Sequence, residues 1–198
     1  MSNITTPRIV GIGGTTRTGS SSELALRFAL KAAQEYGAST SIVTGNDLLL
    51  PMYAPEARQD DSRRIDALVD LLRHCDGVIV ASPGYHGSLS GLVKNTLDYT
   101  EDMREDARPY LEGRVVGTIV CAAGWQAIGT TLTALRSITH ALRGWPTPMG
   151  VGINTSVRAF DAQGACVDPA VANQLRLLAR QVVDFARRNA VSETCVTP

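Results

Sequence analysis

Residues 78–98 carry the densest chemical information in the chain: Val-Ile-Val-Ala-Ser-Pro-Gly-Tyr-His-Gly-Ser-Leu-Ser-Gly-Leu-Val-Lys-Asn-Thr-Leu-Asp. Residues 78–81 are apolar or small and predict a buried parallel strand. Ser82, Pro83 and Gly84 stop it. A loop of small residues follows around Tyr85, His86 and Gly87. A helix comes next, opened by Ser88 or Ser90, with Leu92, Val93 and Leu97 facing inward. A strand that ends in a glycine-rich loop and feeds a helix is where open α/β sheets bind ligands. Pro83 fixes φ, and Gly84 removes the side chain that would hold a flat ligand away.

A second such loop lies near the start of the chain. Residues 13–22 read Gly-Gly-Thr-Thr-Arg-Thr-Gly-Ser-Ser-Ser, a glycine and hydroxyl loop that runs into a helix. Free N–H groups and the helix dipole favour a phosphate there. Thr15, Ser20 and Ser22 offer hydroxyls, and Arg17 offers a planar charged fork. A nucleotide triphosphate loop would need lysine after Gly19, where Ser20 stands. A dinucleotide fingerprint begun by Gly11 and Gly13 would need a third glycine, where Thr16 stands. Hydroxyls and one arginine match a single phosphate better than a diphosphate. Taken alone, the serines serve equally as helix caps. The position of both loops at strand C-terminal ends favours a ligand.

The elements that must hold these loops alternate regularly. Strands are predicted at residues 8–13, 39–44, 77–81, 115–122 and about 149–153. Helices are predicted at residues 20–36, from Asp61 or Ser62 to about 75, at about 88–100, 130–142, and from the Asp168–Pro169 start to about 189. Residues 101–113 read as a charged surface excursion, and residues 144–146 as the close of the fourth helix. Five βα units without repeats or linkers imply one domain, residues 1–198, with its core at about 8–189. The predicted fold class is α/β: a flavodoxin-like three-layer sandwich, its five-stranded parallel sheet ordered 2-1-3-4-5 with helices on both faces.

Composition narrows the partners. Of 198 residues, 44% are hydrophobic and 19% charged, an ordinary globular balance. Nineteen basic residues match nineteen acidic ones. Zero net charge argues against nucleic acid as the main partner, and weakly against a small electron carrier steered by an acidic face. Cys75, Cys121, Cys166 and Cys195 form no Cys-x-x-Cys pair, and the histidines have no metal-ligand spacing, so no metal site is expected. Free thiols fit a reducing cytoplasm. No signal peptide and no membrane span are expected.

Residues 14–22 together with residues 82–98 resemble the NAD(P)H-dependent FMN reductase family, and the resemblance runs from residue 8 to about 185. In the first loop Arg17 and Ser20 match the family pattern, Thr15 replaces its serine and Ser22 its asparagine. In the second, Pro83 and Tyr85 match, Gly84 replaces a common glutamate and His86 a common asparagine. The third loop, after the fourth strand, contributes Ala123 and Gly124, which permit close approach, and Trp125, which departs from the family. The resemblance implies FMN as cofactor, with its phosphate at the first loop and its ring along residues 83–87. It implies NADPH or NADH as co-substrate, a small-molecule electron acceptor (flavin, quinone, azo compound or another), and a homodimer or homotetramer.

Hydride transfer between stacked rings needs position more than acid–base help, so no catalytic side chain is expected. His86 is the one proton donor near the ring, although a loop residue bonded to backbone is the preferred reading. Lys94, Asn95 and Asp98 read as a solvated or subunit-facing helix surface. The competing function is a flavodoxin-like electron carrier or a non-catalytic flavin-binding module.

Overall fold

The structure, a computed structural model, describes residues 6–55 and 62–194. Strands β1 (Arg8–Gly13), β2 (Ser39–Val43), β3 (Gly77–Tyr85), β4 (Ser88–Leu89), β5 (Val115–Ala122) and β6 (Trp145–Asn154) alternate with helices α1 (Ser21–Glu35), α2 (Ser62–Arg73), α3 (Gly91–Asp98), α4 (Trp125–Ala141) and α5 (Pro169–Thr194). The main sheet is ordered β2-β1-β3-β5-β6 and is parallel throughout. Counting parallel strands alone, this is the predicted 2-1-3-4-5. The two-residue β4, absent from the sequence reading, pairs antiparallel with the end of β3.

Alternation along the buried strands sorts the core into two halves. Ile9, Ile79, Ala81, Val115, Ile119 and Cys121 pack with α1 and α5. Val10, Ile12, Val78, Val80, Val116 and Val120 pack with α2, α3 and α4. Both sheet faces are therefore covered, as a parallel sheet requires.

Several boundaries differ from expectation; α5, for one, runs to Thr194 instead of about 189. First, β3 runs through Pro83 to Tyr85 instead of stopping at residue 81. β1 ends at Gly13, opposite Ala81, so beyond that point β3 has a parallel neighbour on the β5 side alone. Proline is tolerated in such an edge-like position. Second, α4 starts at Trp125, five residues before the predicted start at 130. Its N-cap is Gly124, which gives no side-chain cap, and Gly129 reads as a breaker, so the usual start signals are missing. Third, Trp145 and Pro146 belong to β6. This is the edge strand, the place where a sheet accepts Pro146 and Pro148.

The third helix is also shorter than predicted. It ends at Asp98 and continues as a 3-10 turn, Tyr99–Met103. The excursion at 101–113 is tied down by Met103, Leu111 and Arg114, all buried. Arg114 donates to the carbonyls of Arg73, Arg108, Tyr110 and Glu112. Asp61, one of two expected caps of α2, and Cys195 lie outside the described residues.

Candidate functional site

The first loop is pinned directly to β3. Gly13 has φ 140°, and a Cβ there would stand 1.8 Å from the Ala81 carbonyl oxygen. Only glycine permits this approach. The Gly14 N–H then donates to the same oxygen at 3.1 Å. Thr15 Oγ1 accepts from the Arg17 N–H at 3.1 Å and shapes a local turn. The Arg17 side chain is exposed and makes no ion pair with any described residue.

Ser20 and Ser22 lie deeper, each 2% exposed. Ser20 is the N-cap of α1, its Oγ accepting from the Glu23 N–H at 3.4 Å. Glu23, itself 4% exposed, accepts from the Gly19 N–H at 2.9 Å and pairs with Arg27. What the loop leaves exposed is therefore Arg17; the Thr15 hydroxyl also donates to the Arg17 carbonyl at 3.3 Å, and the first-turn N–H groups of Ser21 and Ser22 have no acceptor within the helix. Sequence reasoning missed Glu23. The Ser20-x-x-Glu23 spacing of a capping box was the signal that could have found it.

The second loop, expected as a loop of small residues, is a hairpin. Gly84 pairs with Leu89 and Tyr85 with Ser88, leaving His86 and Gly87 as a two-residue turn. Their φ values are 51° and 87°. Two consecutive left-handed residues make the type I′ turn, whose twist matches the strands it joins. At the base, Ser82 Oγ donates to the Pro83 carbonyl at 2.8 Å and accepts from the Ser90 N–H at 2.9 Å. Pro83 is buried, whereas Tyr85, His86 and Gly87 are exposed. The His86 imidazole, expected to bond to backbone, has no hydrogen bond among the described residues.

The third loop sits beside the second. Pro83 lies opposite Cys121 in the β3–β5 ladder. A Cβ on Gly84 would stand 3.1 Å from Ala122 Cβ and from Thr131 Oγ1 of α4. Ala123 accepts from Ser156 Oγ at 2.9 Å. Gly124 leaves the first-turn N–H groups of α4 without a side-chain cap, and Trp125 stands 67% exposed there. The C-terminal ends of β1, β3 and β5 thus bring Thr15, Arg17, Tyr85, His86, Gly87, Ala123, Gly124 and Trp125 to one edge of the sheet. Ser20, Ser22, Pro83 and Gly84 supply the frame behind them.

Two readings of helix three separate here. Lys94 and Asp98 form an exposed i,i+4 ion pair, as expected. Asn95 does not share that surface: it is 5% exposed and bonds to the segment that follows β2. Cys121 is a core residue, and burial pushes its thiol up to about 12.

Loops gathered at the carboxyl ends of a parallel sheet ordered 2-1-3-4-5 define a flavodoxin-like α/β protein. The flavoenzyme NAD(P)H:(acceptor) oxidoreductase FerB of Paracoccus denitrificans superposes with a TM-score of 0.76 at 20% identity, over 92% of this chain and 98% of that one. The chain belongs to the NADPH-dependent FMN reductase family, whose model matches residues 7–157. It is 29% identical to the NADPH-dependent FMN reductase ArsH of Shigella flexneri, over 79% of this chain and 60% of that relative. It is 25% identical to the NAD(P)H-dependent FMN reductase PA1204 of Pseudomonas aeruginosa, over 81% and 85%. The chain spans less than two thirds of the length of the ArsH relatives it matches.

The residues present fit FMN. The first loop offers a cation and open N–H groups of the kind a phosphate takes. The glycine approach at Gly13 brings that loop against β3. Beside the loops, Thr44 Oγ1 and Thr131 Oγ1 are buried with no hydrogen-bond partner, at the positions that a Cβ on Gly14 and on Gly84 would crowd.

Proposed function

We propose that the protein is an FMN-dependent NAD(P)H oxidoreductase. Bound FMN supplies a ring that takes hydride from NADPH or NADH and passes electrons to a flavin, quinone, azo compound or another small acceptor. One observation carries this reading: the Gly14–Ala81 hydrogen bond and the Pro83–Cys121 pairing join the anion-ready loop to the hairpin and to the α4 N-terminus. A phosphate end and a flat end are thereby held at fixed separation.

Each residue has a role in that reading. Arg17, the Thr15 hydroxyl and the N–H groups of Ser21 and Ser22 hold the phosphate, while Ser20 and Glu23 keep the helix start in place. Pro83, Gly84 and the His86–Gly87 turn set the backbone along which the ring lies. Tyr85 and Trp125 are exposed apolar surface beside it. Ala123 and Gly124 leave room for close approach, and the uncapped α4 N-terminus favours negative charge next to it. No side chain is assigned a catalytic proton transfer.

The same reading places the protein in the cytoplasm as a homodimer or homotetramer without nucleic-acid or membrane partners. Supporting it are the balanced charge, the free thiols of Cys75, Cys121 and Cys166, and the lack of any helix among the described residues long and apolar enough to cross a membrane. Anaerobic addition of NADPH or NADH to the FMN-bound protein is the test. Bleaching of the visible flavin absorbance is expected, on the order of one equivalent per site. Flavin that stays oxidised with both nucleotides would assign the protein to electron carriers instead.

A further inference from the structure

Glu23 meets the first loop at both of its ends. A Cβ on Gly14, where the loop leaves β1, would stand 3.2 Å from Glu23 Cβ. The Gly19 N–H, where the loop reaches α1, donates to Glu23 Oε2 at 2.9 Å. The other oxygen, Oε1, accepts from Arg27 Nε at 2.9 Å and lies 2.8 Å from Arg27 Nη2. The Glu23 side chain is 6% exposed and that of Arg27 52%. The carboxylate is therefore buried behind the loop, while its cation partner stands half in solvent.

The fold does not need a charge at this position. The other N–H groups that the loop satisfies within the chain go to neutral oxygens: Gly14 to the Ala81 carbonyl, Arg17 to Thr15 Oγ1, Ser20 to the Arg17 carbonyl and Glu23 to Ser20 Oγ. A glutamine oxygen would serve the Gly19 N–H as an acceptor just as well. What the carboxylate adds is negative charge in the first turn of α1, where it complements the positive end of the helix dipole. That same helix end, through the N–H groups of Ser21 and Ser22, is what the proposed function gives to the phosphate. Gly19 and Ser21 are two residues apart, a span of at most about 7 Å. The carboxylate and the phosphate would then face each other at a separation on the order of a Debye length, with one of the two charges shielded from water.

We infer that Glu23 sets the strength of phosphate binding: as the resident anion of the first loop it opposes the phosphate of FMN, and so narrows the preference of the site for FMN over riboflavin. The inference rests on the function proposed above. Arg17 draws the phosphate in from the exposed side, and Glu23 limits the gain from behind, so that FMN leaves faster than it would with a neutral residue at position 23.

The test titrates flavin-free protein with FMN and, separately, with riboflavin, followed by fluorescence quenching, for wild type, Glu23→Gln and Arg27→Gln. Glu23→Gln keeps an oxygen for the Gly19 N–H and removes the charge. It is expected to lower the Kd for FMN by about fivefold, the effect of one partly screened like charge, and to move the Kd for riboflavin by less than about twofold. The gain should appear as slower release of FMN and should shrink as salt is added. Arg27→Gln leaves the carboxylate without its cation and is expected to raise the Kd for FMN by about threefold, with riboflavin again unmoved. A residue that only holds the helix start would lower the melting temperature on substitution and leave both flavins bound equally well or more weakly. FMN binding that is unchanged or weaker in Glu23→Gln, or equal tightening of both flavins, would overturn the role. Should Glu23→Gln fail to fold, an unmoved Kd for FMN in Arg27→Gln would overturn it. Wild-type protein that takes up no FMN would remove the functional reading and this inference with it; wild-type protein that binds FMN with a Kd that neither substitution moves would remove the inference alone.

Discussion

Arg17 is the exposed cation of the first loop and, in the proposed function, meets the phosphate of FMN. Arg17→Ala is expected to weaken FMN by about tenfold or more, the worth of a charge-assisted hydrogen bond, and to leave riboflavin, which has no phosphate, nearly unaffected. Equal weakening of both, measured by quenching of flavin fluorescence, would contradict the assignment. The buried thiols make a separate prediction. Burial pushes Cys75 up to about 11 and Cys121 up to about 12. Unfolded thiols titrate near 8.5, so below about that pH neither state loses a proton. As pH rises the unfolded chain ionises first, and stability falls from about pH 8.5 until the folded thiol itself titrates, by on the order of 3 kcal/mol for Cys75. Cys75→Ala should flatten the decline of melting temperature between pH 8.5 and 10.5. An unchanged slope would show that Cys75 titrates alike in both states.

At the scale of elements, the hairpin and the charged excursion illustrate what a sequence hides. The type I′ turn depends on left-handed backbone at His86 and Gly87. Gly87→Val should cost about 2 kcal/mol in urea unfolding, whereas His86→Gly should be neutral or slightly stabilising; a neutral Gly87→Val would argue against the turn. Arg114, 1% exposed, holds four carbonyls of the excursion and of the α2 end. Arg114→Met should destabilise by about 3 kcal/mol or more, since those carbonyls lose their donor where water does not reach. The strand–helix alternation was legible because buried strands and amphipathic helices leave different periods. The early start of α4 was not, because Gly124 caps nothing. Asn95 looked like surface because Lys94 and Asp98 flank it, and only the folded chain brings residues 50–53 against it. The loops were found by their glycines and hydroxyls, yet their division of labour was not: Ser20 and Ser22 turn inward and Glu23 joins them.

At the scale of the molecule, three loops from adjacent parallel strands form one continuous edge, and the family match covers the strands and loops that build it. Two covered sheet faces give that edge a stiff base. The proposed function requires that edge to hold one FMN, phosphate at the first loop and ring at the hairpin. Titration of the purified protein with FMN, followed by visible absorbance and fluorescence quenching, tests this most directly. Saturation at about one FMN per chain, with the bound flavin displaced poorly by riboflavin, is the predicted result. A protein that stays colourless and leaves FMN fluorescence unquenched would contradict it.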